Sequence, residues 1–380
     1  LVNGEQQDMS DMQDPRIKLA VIFGGRSGEH DVSLSSARSV IEVLDKEKYQ
    51  LFQVGITPQG AWFTGGSTLE AFSRGSTSGL EQAVIIADPS LKGLHVLRDG
   101  QLIKISDLDV IFPVLHGTFG EDGTIQGLLE LADLAYVGAG VVGSSVGMDK
   151  GIFKDVMRAN DIPVVEALIV LRSEIVENME ATISRVESLL PYPIFVKPAN
   201  LGSSVGISKC KNRSDLAEGL QEAASFDRRI LVERGVDAKE IEVSVMGNEH
   251  PQASVPGEIL PSREFYSYES KYVDGSSELV IPALLPLDTA EQVRSLAVKA
   301  YQAIDCAGMA RVDFFIEKST GKVMLNEINT IPGFTSISMY PKLWQASGLT
   351  YSQLIDRLIA LALDRKLSRD RTQRSYRRSS

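Results

Sequence analysis

The chain has 380 residues, 43% of them hydrophobic and 23% charged, a balance that suits a globular protein with two or three cores and excludes a disordered one. Its two cysteines, Cys210 and Cys306, cannot build a disulfide framework or a cysteine zinc site, and its four histidines lack the spacing of a histidine-held metal. The net charge of −11 is uneven: residues 17–363 carry −13, against +5 in an arginine-rich C-terminal stretch, so a phosphate backbone is not an expected partner.

The apolar run Ile17–Phe23 ends in Gly24-Gly25 and leads into helical periodicity over Ser33–Leu44, which reads as strand, glycine turn and helix. Phe52–Thr57 and Val110–Leu115 repeat the buried-strand pattern, and Thr124–Asp133 reads as a helix. The alternation predicts a parallel sheet with crossover helices up to about residue 145. Gly138–Gly143 matches GxGxxG after the apolar Leu134–Val137. Poor helix formers follow at Ser144–Gly147, so the spacing predicts a flexible inter-domain connection rather than a dinucleotide loop. Short strands are expected at Tyr192–Val196, Gly206–Lys209 and Ile230–Glu233, with helices near residues 150–160 and 215–225. A third region opens at Glu242–Met246 and contains helices near residues 290–304 and 352–363. The polar, aromatic segment Pro261–Gly275 has no period and reads as a loop that closes over something. No apolar run approaches the ~18 residues of a membrane span, and the polar start is unlike a signal peptide, so a reduced, cytoplasmic enzyme is expected.

Two stretches carry chemistry. Lys197 ends a strand and is followed by a loop rich in glycine and serine, up to Gly206. Small residues let backbone N–H groups approach phosphate oxygens, and lysine adds a point charge. Ala310–Ile316 and Val323–Asn329 form a hairpin around Ser319-Thr320-Gly321. That register sets Asp313 opposite Glu327 and Arg311 opposite Asn329 on one face, with Val312 and Phe314 on the other. Opposed carboxylates destabilise a plain sheet. A cation between them removes the conflict, and an oxygen-only donor set selects Mg²⁺ or Mn²⁺ over zinc. Two solvated acids on an exposed face are the alternative.

Taken in order, Met148-Asp-Lys150, the Lys197 loop, Val232-Glu-Arg-Gly-Val236, Arg311 with Asp313, and Glu327-Ile-Asn329 resemble the ATP-grasp carboxylate–amine ligases. Gly24–Ser33, His116–Thr124 and Asn329–Ser336 look like the D-alanine–D-alanine ligase family, and the resemblance spans residues 17–363. It implies a three-domain α/β ATP-grasp fold with an N-terminal parallel-sheet, Rossmann-like domain. The domains are expected at residues 17–145, 146–240 and 241–363, the last with the closing loop 261–275. A flexible tail at 1–16 and a disordered basic tail at 364–380 would flank them. For ATP the resemblance implies Lys150, Lys197, Ser204, Glu233, Arg234, Val236, Glu240 and Lys271. Lys150 and Lys197 would hold phosphates, the Glu233–Val236 segment the adenine, and Glu240 the ribose. Asp313, Glu327 and Asn329 would bind two Mg²⁺ ions, replaceable by Mn²⁺, and a monovalent cation is a further cofactor of such enzymes.

Arg311 would stabilise the tetrahedral oxyanion. Glu29 would hold the first substrate's ammonium through a chain running by Ser203 to Tyr272, while His116, Gly333 and Ser338 would bind substrate. The implied partners are D-alanine and ATP, with no nucleic acid, no membrane span and a second copy of the chain as homodimer. Tyr272, and the absence of histidine from residues 256–282, favour D-alanine over D-lactate as the acceptor. Asn200-Leu201 departs from the pattern, bringing neither charge nor a second glycine to the phosphate loop. A D-alanine–D-lactate ligase, a D-alanine–D-serine ligase and a non-catalytic nucleotide-binding regulator are the alternative readings.

Overall fold

The computed structural model describes residues 14–202, 205–260 and 278–373, which form sheets of eight, four and six strands. The first sheet is built outward from β1 (Ile17–Gly24). Its residues Leu19–Phe23 are wholly buried because parallel strands flank them and apolar clusters cover both faces. Those neighbours are β2 (Tyr49–Ile56) and β7 (Val110–Val114). An antiparallel meander continues beyond β2: β3 (Trp62–Thr64), β4 (Glu81–Val84), β5 (Leu94–Arg98) and β6 (Gln101–Ser106). On the other side β8 (Ala135–Tyr136) pairs parallel to β7. The sheet is therefore mixed, and only its β2-β1-β7-β8 half is the parallel arrangement the alternation predicts. The meander strands are short and their apolar residues are interrupted by polar ones, so no long apolar run betrays them. Helices α1 (His30–Val43), α2 (Thr68–Ser73) and α3 (Thr124–Leu131) complete this layer.

The GxGxxG segment is not a flexible connection. Helix α4 (Val141–Met148) starts inside it. A methyl group built on Gly308 would come within 2.9 Å of the Gly138 nitrogen, and one on Gly143 within 3.1 Å of the Asp305 carbonyl. The glycines let two chain segments touch backbone to backbone, and close packing immobilises a helix that propensity alone would not form.

The second sheet runs β11-β10-β12-β9 and is antiparallel: β9 (Ala167–Leu171), β10 (Ile194–Pro198), β11 (Ser208–Cys210) and β12 (Arg229–Arg234). Helices α6 (Arg172–Leu189) and α7 (Arg213–Phe226) cover one face through Ile183, Val186, Leu216 and Leu220. Helix α5 (Lys150–Ala159) enters from α4, capped by Asp149, and buries Phe153 and Met157 in the core of the third sheet.

The third sheet centres on β13 (Ala238–Gly247). It pairs with β14 (Gln252–Ala253), β15 (Gly257–Leu260) and the long strand β17 (Gly308–Glu317). Strand β16 (Glu278–Val280) edges β15, and β18 (Val323–Asn329) edges β17. Helix α8 (Leu287–Ala303) seals its apolar face with Val293, Ala297, Ala300 and Tyr301. Helix α9 (Met339–Ala346) follows, and α10 (Tyr351–Asp370) returns to the first sheet. There Leu354, Ile355, Leu358 and Ile359 pack with Leu19, Val21 and Phe112. Residues 364–370, expected to be disordered, are the last two turns of α10. Their cations are ordered by Glu130 and Asp133 on and just after α3. Among the described residues no helix is long and apolar enough to cross a membrane.

Candidate active site

The hairpin of β17 and β18 sets Arg311 opposite Asn329 and Asp313 opposite Glu327, as its sequence predicts. The register then slips by one at Asp313/Phe314, leaving Asn326 as the extra residue of a bulge. A plain hairpin around Ser319-Thr320-Gly321 predicts the loop end one residue out of step. The bulge absorbs the difference and keeps the polar row intact.

The row is wider than the hairpin. Glu242 on β13 lies opposite Asp313, so Glu242, Asp313 and Glu327 form one line of carboxylates across three strands. Sequence reading missed Glu242; the alternation Glu240-x-Glu242 on a predicted strand was the available signal. Arg311 sits among these acids. Its Nε and Nη2 donate to the two oxygens of Asp313, each at 2.7 Å, and Nε lies 2.9 Å from Glu242 Oε2. Asn329 Nδ2 donates to Asp313 at 3.0 Å, which turns its amide oxygen away as a further hard donor. Among the described residues no group of three or more His, Cys, Asp or Glu is arranged as a metal cluster. The donor chemistry of Asp313, Glu327 and Asn329 nonetheless fits a hard divalent cation.

Across the cleft lies the second sheet. Lys197 on β10 and Glu233 on β12 share a face and form an ion pair. Burial is the largest single influence on Lys197 and would lower its pKa, but the charge and hydrogen bond of Glu233, with Glu327 and Glu240 on the third sheet, together outweigh it and raise the pKa overall. Lys154, unremarked in the sequence, lies on the other side of Glu233 with Nζ 3.1 Å from Oε2. Lys150, one turn earlier on α5, donates to the Leu201 carbonyl at 2.7 Å and so meets the glycine-serine loop. Arg234 points away from this cluster to Glu166 at 2.7 Å and to Glu317 at 3.1 Å, tying the second sheet to the β17–β18 hairpin. Val236 is half-buried on the linker into β13, and Glu240 is the third residue of that strand.

The first domain supplies the third wall. Glu29 caps α1, and its Oε2 would lie 2.5 Å from a methyl group built on Gly117 and 2.8 Å from one on Gly202. Both loops thus press against that carboxylate, and at Gly117 a φ of +73° also favours glycine. His116 is buried with both ring nitrogens engaged, Nδ1 with the Ile331 carbonyl and Nε2 with Ser36 Oγ, each at 3.0 Å. It therefore fixes the Ile331–Phe334 segment, which carries Gly333. Glu121, a third residue missed in the sequence, lies 3.6 Å from His116 Nδ1. Burial, and to a lesser degree Glu29, push its carboxyl up to about 7 against the opposing pull of His116 and Arg311. Ser338 Oγ accepts from the Thr335 amide at 3.1 Å, and a methyl group on Gly333 would come within 2.7 Å of that same oxygen. Ser203, Ser204, Lys271 and Tyr272, with the whole closing loop, lie outside the described residues.

A carboxylate-and-arginine sheet facing a lysine-bearing sheet, with an N-terminal α/β domain closing the third side, defines a ligase of the ATP-grasp class. The comparisons agree. The family models for the D-ala D-ala ligase N-terminus and C-terminus match residues 18–139 and 156–360. The chain is 50% identical over 350 residues to the D-alanine–D-alanine ligase of Caldicellulosiruptor bescii, covering 92% of this chain and 96% of that one. It is 52% identical to that of a Thermoanaerobacter species, covering 91% and 96%. Among solved structures, the D-alanine–D-alanine ligase from Coxiella burnetii superposes with a TM-score of 0.81 at 35% identity, over 94% of this chain and 96% of that one. A D-Ala:D-Ser ligase from Enterococcus faecalis does so with the same TM-score and identity, over 91% and 99%. The chain belongs to the D-ala D-ala ligase family.

Proposed function

We propose that the protein joins two D-alanines into D-alanyl-D-alanine, a peptidoglycan precursor, with conversion of ATP to ADP and phosphate. A carboxylate is a poor electrophile because its oxygen will not leave. Transfer of the γ-phosphoryl group of ATP to the first D-alanine gives an acyl phosphate, and attack by the amine of the second expels phosphate. Lys150 and Lys197 offset the repulsion between two anions as they approach. The carboxylate of Glu29 holds the first ammonium, with Ser203 and Tyr272 continuing the contact. Arg311 faces the oxyanion that forms when the amine attacks, and the Gly333–Ser338 turn receives the second carboxylate.

Asp313, Glu327 and Asn329 are the residues that would hold Mg²⁺ or Mn²⁺, which when bound would neutralise β- and γ-phosphate charge. Adenine lies against the Glu233–Val236 backbone and ribose against Glu240, while Ser204, Arg234 and Lys271 belong to the same nucleotide site. His116 acts through the segment it fixes. We further place the protein in the cytoplasm, where ATP is supplied, as a homodimer activated by a monovalent cation.

The observation that carries this reading is the Glu242–Asp313–Glu327 row with Arg311 inside it, opposite Lys197. The test is phosphate release with ATP, Mg²⁺ and D-alanine, against L-alanine controls. Likeness to a D-Ala:D-Ser ligase favours one second reading, D-serine as acceptor. Product analysis with equal D-alanine, D-serine and D-lactate should give mainly D-alanyl-D-alanine from about pH 6 to 9, the range in which a histidine in the closing loop would titrate. A D-alanyl-D-serine majority would transfer the assignment to the second reading.

A further inference from the structure

Three ionisable side chains meet under the floor of the nucleotide site: Lys154 is 1% exposed, Glu233 is 2% exposed, and Lys197 bonds Glu233 from the cleft side. Two ammonium groups share one carboxylate, so the trio carries a net positive charge that Glu327 and Glu240 meet only from across the cleft, on the third sheet. An arrangement of that kind is costly in a low-dielectric interior unless an anion completes it. Only Lys197 has a route to the cleft, since its side chain keeps 12% of its exposure while that of Lys154 keeps 2%. Lys150 and Lys154 are one turn apart on α5, hence on one face of the helix. The first meets the phosphate loop at Leu201; the second never leaves the interior.

We propose that Lys154 is a positioning residue for the nucleotide: it is the fixed counter-ion of Glu233, and it allows Lys197 to leave that carboxylate for a phosphate without stranding a buried negative charge. The inference rests on the ATP-dependent reading above. Without Lys154, Glu233 has Lys197 as its remaining cation in this trio and holds it back from the nucleotide. Burial lowers the pKa of Lys154 while the charge of Glu233 opposes that fall, and the same two lysines hold Glu233 down to about 2.

The test compares KM for ATP and kcat in wild type, K154M, E233Q and the K154M/E233Q pair. K154M should raise KM for ATP about 10- to 100-fold, the loss expected of a charged contact, with a smaller change in kcat and in KM for D-alanine. With E233Q present there is no buried carboxylate to neutralise, so adding K154M should then leave KM for ATP within about threefold of the E233Q value. K154R, which keeps the charge, should recover part of the loss. Unchanged KM for ATP in K154M overturns the proposal, as do effects that multiply in the double variant, because a packing role would make Lys154 matter whatever stands at 233. If K154M does not fold, K154M/E233Q against E233Q still decides: equal KM values support the coupling and a further rise overturns it. A wild type that releases no phosphate with ATP and D-alanine would overturn the function itself. An active wild type with an insensitive K154M overturns only the role of Lys154.

Discussion

The carboxylate row is sustained by competition for Asp313. Arg311 now holds both oxygens of that residue, and a cation shared by Asp313 and Glu327 would displace part of that contact while Glu242 keeps the guanidinium in place. Glu327→Gln preserves shape and loses the charge opposite Asp313. It should reduce turnover at least about a hundredfold with an unchanged melting temperature, read by phosphate release and thermal melts at ordinary Mg²⁺. Near-normal activity would dismiss the metal assignment. A second residue effect concerns pH. The Glu121 carboxyl is raised from 4.5 to about 7, chiefly by burial, and the pKa of His116 is also raised, Glu121 and Glu29 outweighing its burial. Both groups bind protons more tightly folded than unfolded, so both contribute stability below their unfolded values and lose it as pH rises through the folded ones. The melting-temperature advantage of wild type over Glu121→Gln should shrink between pH 5 and pH 8; a constant difference would show that the pair does not titrate with folding.

Elements were legible in the sequence where burial left a continuous apolar run and illegible where close packing did the work. Strand β1 and the polar face of β17 could be read directly, because two-sided burial and alternation are written in residue type. Helix α4 could not, since Gly143, Ser144, Ser145 and Gly147 argue against a helix and only contact with the third sheet forms it. Glu242 and Lys154 escaped for a related reason: their importance lies in partners more than thirty residues away. Glu121 pairs with His116 only five residues earlier, and burial, which its sequence does not record, is what sets it apart. Gly308 tests the packing account. Its φ is +73° and a methyl group would strike the Gly138 backbone. Gly308→Ala should therefore cost about 2 to 4 kcal/mol, combining left-handed strain with overpacking. Chemical denaturation reads this directly, and a loss below about 0.5 kcal/mol would mean the two segments are not in firm contact.

At the scale of the whole molecule, α10 fastens the first domain to the third. Its apolar face joins the core of the first sheet, and its last turns reach further. The Arg365 guanidinium donates to the carbonyls of Tyr136 and Gly138 and stacks 4.3 Å from the Tyr136 ring centroid. Lys366 and Arg369 pair with Glu130 and Asp133. The positive charge of this stretch suggested a frayed tail because composition records charge and not the acids waiting for it on and just after α3. These contacts matter to the site: Gly138 abuts Gly308 at the start of the strand that carries Arg311 and Asp313, and His116 spans to Ile331. Glu29, proposed to hold the first substrate, and the acid row are thus held on one framework. Arg365→Ala removes two charge-assisted bonds to backbone carbonyls and one ring contact, a loss of roughly 3 kcal/mol. In a protein of this size that should lower the melting temperature by several degrees. It should also raise KM for D-alanine more than KM for ATP, since the proposed nucleotide site lies between the second and third sheets while the proposed site of the first substrate needs the first domain in register. Equal rises in both constants would show that Arg365 supports the fold without setting the placement of the first domain.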